Sequence, residues 1–130
     1  MSVETFIDSE YAALLSHPIV VSVDVVRFDV DHLDGYLRVR CRLSNGDRLE
    51  ATMHVTRHAG EVLIDDYRYQ WLDAGSVFIR RWDSSPHHPE LPGFPHHCHV
   101  GGGNLVEPAA PMRLSEVIEL VAALIGKSSW

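Results

Sequence analysis

The chain has 130 residues, with 18 acidic against 11 basic side chains and a formal net charge of -7 when histidine is neutral. That length can bury one core without disulfide or metal staples, and the surplus of acid excludes sequence-independent adhesion to nucleic acid through bulk charge. An apolar share of 45% and a charged share of 22% are those of a folded globular chain and leave no room for a long disordered tail or a membrane span.

From Val3 to Ser16, the apolar residues Phe6, Ile7, Tyr11, Leu14 and Leu15 recur at spacings of three and four, which predicts an amphipathic helix. Pro18 ends it by removing a donor and pushing His17 towards extended geometry. Apolar and polar residues then alternate from Ile19 to Val30 until Val25 and Val26 stand side by side, where one inserted residue, a bulge, would restore the face. Tyr36 to Leu43 alternates cleanly, with Leu37, Val39, Cys41 and Leu43 on one side and Arg38, Arg40 and Arg42 on the other. Its partner run is Leu49, Ala51, Met53 and Val55. A two-residue loop would set Leu43 against Arg48, so a three-residue loop Ser44-Asn45-Gly46 is predicted, with Gly46 left-handed. That register pairs Cys41 with Leu49, Val39 with Ala51, Leu37 with Met53 and Arg40 with Glu50.

A fourth run, Glu61 to Leu72, carries Tyr67, Tyr69 and Trp71 on the face that reads as core, and Asp73-Ala74-Gly75 turns the chain into Ser76 to Trp82. Val117, Leu120, Val121 and Leu124 form a closing helical stripe, with Ser115 as N-cap and Gly126 as stop. The links are short, so the expected fold is α+β: one domain over residues 1–130, an antiparallel meander of about five strands with the N-terminal and C-terminal helices packed on it.

Ser84 to Pro111 shows no period of either kind, yet it holds five of the nine histidines, His87, His88, His96, His97 and His99, within thirteen consecutive residues. Pro86, Pro89, Pro92 and Pro95 recur every third residue, the repeat of a polyproline II helix. Run straight, such a helix would hold His87 and His96 roughly 28 Å apart at ~3.1 Å per residue. Pro92-Gly93 suits the centre of a type II turn, and a bend there would return His87 and His88 towards His96, His97 and His99.

Three readings of these imidazoles stay open. His97-x-His99 with His87 or His88 could hold zinc or another divalent ion. Two of the histidines, with Arg80 or Arg81 close by, could act as general base and acid on a phosphodiester without any metal. The rings could also merely pin a proline-rich loop to the sheet. Arg38, Arg40 and Arg42 read either as a solvated face or as a phosphate-binding stripe or docking face for an acidic partner segment. Gly101-Gly102-Gly103 reads as a hinge, since no helix follows it. Common P-loop, nucleophile-elbow and zinc-protease signatures and the C-x-x-C pair do not occur. Two cysteines and a first lysine or arginine only at Arg27 predict a reducing cytoplasm and no membrane partner.

The blocks Tyr67-Arg68-Tyr69-Gln70-Trp71, Phe78-Ile79-Arg80-Arg81-Trp82-Asp83, Pro86-His87-His88-Pro89-Glu90-Leu91 and Phe94-Pro95-His96-His97-Cys98-His99 resemble the TumE family of toxins from bacterial and archaeal toxin–antitoxin operons. The segment Leu114 to Ile125 resembles the family's closing helix, and the N-terminal half agrees in layout. The resemblance implies a small growth-inhibiting toxin of a type II pair, neutralised by a protein antitoxin, usually DNA-binding, from the adjacent gene. Joined to the residues above, it leads to an expected activity on RNA or at the ribosome, as a metal-independent endoribonuclease with no cofactor. His87, His88, His96, His97, His99, Arg80 and Arg81 would form the site, and Arg38, Arg40 and Arg42 would bind substrate. The alternative is a non-catalytic binding module whose histidine loop holds a structural divalent metal. A homodimer is open under either reading.

Overall fold

The computed structural model describes residues 1–102 and 105–128. Helix α1, Val3–Ser16, opens at Ser2, whose hydroxyl accepts the Thr5 N–H, and closes at His17 in extended geometry before Pro18. Its buried side is Val3, Ile7, Glu10 and Leu14. The expected stripe is therefore rotated: Leu15 is exposed, because the helix turns its Val3–Leu14 side down onto the sheet.

Strands β1 (Val20–Val30), β2 (Asp34–Leu43), β3 (Arg48–His58), β4 (Glu61–Leu72), β5 (Phe78–Asp83), β6 (His97–Val100) and β7 (Leu105–Pro108) follow, and α2 (Leu114–Ser128) closes the fold. All seven strands lie in one antiparallel sheet in chain order. The α+β meander holds, but the expected five strands become seven among the described residues. The added pair, β6 and β7, is four residues each, too short for an alternation to show amid prolines and histidines.

The pairing of β2 with β3 follows the expected register, with Cys41 opposite Leu49 and Arg40 opposite Glu50. Gly46 sits at φ 93 and donates to Leu43 O, while the Leu43 N–H donates to Asp47 O. The β1–β2 ladder shifts between Val25 and Arg27, the expected bulge, and again between Val20 and Ser22.

Ser115 is not the cap of α2. Arg113 holds that position: its carbonyl accepts from the Glu116 and Val117 N–H groups, and the Glu116 carboxylate returns to the Arg113 N–H at 2.9 Å. The Ser115 N–H instead donates to Glu10 Oε1 at 3.2 Å, so a buried carboxylate on α1 meets the positive end of α2. Nor does Gly126 stop the helix, which runs to Ser128. Gly101 is packed rather than hinged: its N–H donates to Ile79 O at 2.7 Å, and an added Cβ would lie 2.5 Å from Phe78 O. Gly103 falls outside the described residues.

Both helices share one core with the sheet side of Val39, Leu49, Met53 and Tyr69. Among the described residues no helix covers the opposite side, so Arg38, Arg40 and Arg42 stand exposed there. No helix among the described residues is long and apolar enough to cross a membrane. Gly35 on β2 lies directly under α1: a Cβ there would lie 2.6 Å from Ile7 Cδ1 and 2.8 Å from Val3 Cγ1. Gly35→Ala should therefore lower stability by about 1–3 kcal/mol through overpacking, read as a lower denaturant midpoint at unchanged slope.

Candidate functional site

The β5–β6 register sets Asp83 opposite His97, Trp82 opposite Cys98 and Arg81 opposite His99. Successive side chains alternate, so Trp82 and Cys98 enter the core while Asp83, His97, Arg81 and His99 share the uncovered face. The intervening chain folds over this end of the face in a series of turns. Pro92 and Gly93 form the expected bend, with Gly93 at φ 82 and the Phe94 N–H on Leu91 O at 3.4 Å. Leu91 and His96 also donate to His88 O and Gly93 O. These internal bonds replace the expected polyproline II run, which has none.

Asp83 is the centre of the arrangement and is almost fully buried. One oxygen, Oδ1, lies 2.8 Å from His97 Nε2 and accepts the Ser85 N–H at 3.1 Å. The other, Oδ2, accepts Arg81 Nε at 3.0 Å and lies 3.4 Å from His99 Nε2. The two Nε2 atoms are 3.1 Å apart. His97 Nδ1 is 2.8 Å from Pro95 O. A carbonyl only accepts, so Nδ1 carries a proton, and Nε2 of a neutral His97 presents a lone pair. The Asp83 carboxylate and His97 Nε2 then both face His99 Nε2 as acceptors, an arrangement stable only with a proton or another cation among them. Burial, reinforced by the Arg81 charge, holds the His99 imidazole below its ordinary value of 6.5.

Of the residues expected at the site, His97, His99 and Arg81 meet Asp83. His88 joins them at the rim, its ring centre 5.4 Å from that of His97 and 5.9 Å from that of His99. Its φ of 61 swings it in. His87 is exposed and does not join. His96 turns to the helix side, stacks on Tyr67 and shares a 2.9 Å hydrogen bond with its hydroxyl. Arg80 also faces the helix side, paired with Glu107 at 3.3 Å. The bend thus unites only part of the expected set: Arg80 and Arg81 are neighbours on β5 and point to opposite faces, while His87 and His96 lie outside the strands. Asp83 was not anticipated as a site residue. Its signal was its place two residues after Arg81 on one strand, legible only once His97–Val100 is known to pair with it.

Cross-strand rows tie this cluster to the arginines. Arg40, Glu50, Gln70, Arg81 and His99 are successive partners across five strands, as are Arg38, Thr52, Arg68, Asp83 and His97. Arg38, Glu50, Thr52, Arg68 and Gln70 line an open depression of about 310 Å³. Among the described residues, Arg38, Arg40, Arg42 and Arg68 make no ion pair within the chain. From Arg40 to His99 the row spans roughly 19 Å at about 4.8 Å per strand step.

A family model described as Toxin TumE matches residues 10–128. No curated protein and no solved structure gives a match.

Because Asp83 neutralises Arg81 and orders both imidazoles in a buried site, Asp83→Ala should cost about 3–5 kcal/mol. His87→Ala, at an exposed position, should stay within about 0.5 kcal/mol of the parent. Urea denaturation of the two variants checks both values.

Proposed function

The chain belongs to the TumE family of toxins, and from that premise we propose that it inhibits growth by cleaving RNA at Asp83, His97 and His99, with Arg38, Arg40 and Arg42 holding the phosphate backbone. One observation carries this reading: arginines that make no ion pair among the described residues lie on the uncovered sheet face and lead, row by row, to a buried His-Asp-His cluster. Arginine forks match phosphate oxygens, and a phosphodiester lying along the row would end beside Arg81.

His99 is the group best placed to remove a proton, since its side chain is 23% exposed whereas that of His97 is 2% exposed. It takes the proton of a ribose 2′-hydroxyl as that oxygen bonds to phosphorus. His88, at the rim and hydrogen-bonded to Glu90 at 3.3 Å, gives a proton to the departing 5′-oxygen as the P–O bond breaks. The products are a 2′,3′-cyclic phosphate and a free 5′-hydroxyl, and no metal is needed. Arg81 faces the charge that develops on the phosphate oxygens. Asp83 and His97 act as positioning residues that fix the His99 ring. The antitoxin expected of a toxin of this family would then neutralise it by covering the face or the cluster.

The test is expression without antitoxin together with cleavage of RNA by the purified protein. His99→Ala should relieve growth inhibition and lower the cleavage rate by about 10²–10⁴-fold, at an unchanged melting temperature. Full toxicity of a folded His99→Ala protein contradicts the reading. Replacing Arg38, Arg40 and Arg42 together by glutamine should weaken RNA binding and reduce its log–log salt slope by about two, while the rate at saturating RNA stays near the parent value.

A further inference from the structure

The three side chains that meet in the cluster also have the chemistry of a metal site. Asp83 and His97 and His99 each offer one ligand atom, all within 4.8 Å of one another. Bonds of about 2.0–2.1 Å at tetrahedral angles set ligand atoms about 3.3 Å apart. Here His97 Nε2 and His99 Nε2 are 3.1 Å apart, and each faces its own oxygen of Asp83, Oδ1 at 2.8 Å and Oδ2 at 3.4 Å, so a modest turn of the carboxylate would bring one oxygen to an ion held between the two imidazoles. Two imidazoles and one carboxylate form a set suited to zinc and its neighbours rather than to calcium or magnesium, which prefer oxygen.

A second observation is independent of the spacing. His97 Nδ1 is held by Pro95 O at 2.8 Å, the outer contact that metal-bound histidines use to aim the other nitrogen at the ion. Asp83 is held likewise by the Ser85 N–H and Arg81 Nε. The ligands are thus oriented before any ion arrives. His99, the most exposed of the three, marks the side from which an ion enters and where further coordination positions stay open to water or phosphate oxygen.

We propose that Asp83, His97 and His99 bind one divalent transition-metal ion of the zinc class, and that the bound ion silences the RNA cleavage inferred above. The second half rests on that reading. An ion on His99 Nε2 leaves Nδ1 to carry the ring's one proton, so the loaded imidazole has no lone pair for the 2′-hydroxyl proton and the protein lacks its base.

Full-length protein stripped with a chelator and dialysed is titrated with zinc chloride and, separately, with cobalt chloride. Expected are one equivalent of zinc bound, a melting temperature raised by several degrees, and visible cobalt absorption of the tetrahedral kind. All three signals should vanish in His99→Ala, which keeps its metal-free melting temperature. Asp83→Asn, which keeps the shape of the carboxylate, provides a second variant and should weaken zinc binding at least tenfold. Absence of stoichiometric binding, or equal binding by both variants, overturns the site. RNA cleavage by the stripped protein that falls on adding one equivalent of zinc supports the silencing, and cleavage that rises overturns it. If zinc binds as described while neither form cleaves RNA, the site stands and the nuclease reading fails.

Discussion

The antiparallel register between β5 and β6 is the constraint on which the rest depends. It sets Trp82 against Cys98 on the helix side and Asp83 against His97 on the other. A slip of one residue would expel an indole from the core and bury a carboxylate among apolar groups. Core packing and site geometry therefore fix each other. The Trp82 and Cys98 side chains are each 2% exposed, so the same burial that stabilises the sheet edge holds Asp83 within reach of two imidazoles. Gly101 tightens this join by letting the end of β6 press against Phe78 and Ile79.

Charge is distributed to match. A net charge of -7 describes the chain but not its uncovered face. Asp34 and Asp65 gather around His54 at 3.3 and 2.6 Å, and Asp29 pairs with Arg27. These acids sit towards one end of β2 and β3, whereas in the middle of the sheet Arg38, Arg40, Arg42 and Arg68 outnumber Asp24 and Glu50, which flank Arg40. Such segregation permits a local phosphate contact while the whole chain repels polyanions elsewhere, which favours selective over indiscriminate binding.

Local chemistry made much of this architecture legible in the sequence. The alternation of Leu37 to Leu43, the single residue added at Val25-Val26 and the glycine at position 46 together specified a register that the sheet adopts. Pro92-Gly93 specified the bend of the histidine segment because φ above zero is easy only for glycine there. Less legible was anything decided by distant partners. β6 and β7 are too short to announce themselves and exist because β5 offers an edge. The start of α2 is set by Arg113, Glu116 and a carboxylate from α1 rather than by the nearest serine. The histidines looked like one group because they are close in sequence, yet His96 and His97 are divided by the plane of the sheet. Asp83 drew no attention alone, since an isolated acid gains meaning only from what the register sets beside it.

The central claim is that Asp83, His97 and His99 form one coupled unit with His97 Nδ1 committed to Pro95 O. Long-range proton–nitrogen correlation spectra of the metal-free protein, with the imidazole nitrogens labelled, test it most directly, because they show which ring nitrogens carry hydrogen. The account predicts a protonated His97 Nδ1, and a His97 Nε2 signal that moves when Asp83 is changed to asparagine. A His97 ring bearing its only proton on Nε2, or one whose Nε2 signal ignores the change at Asp83, would contradict it.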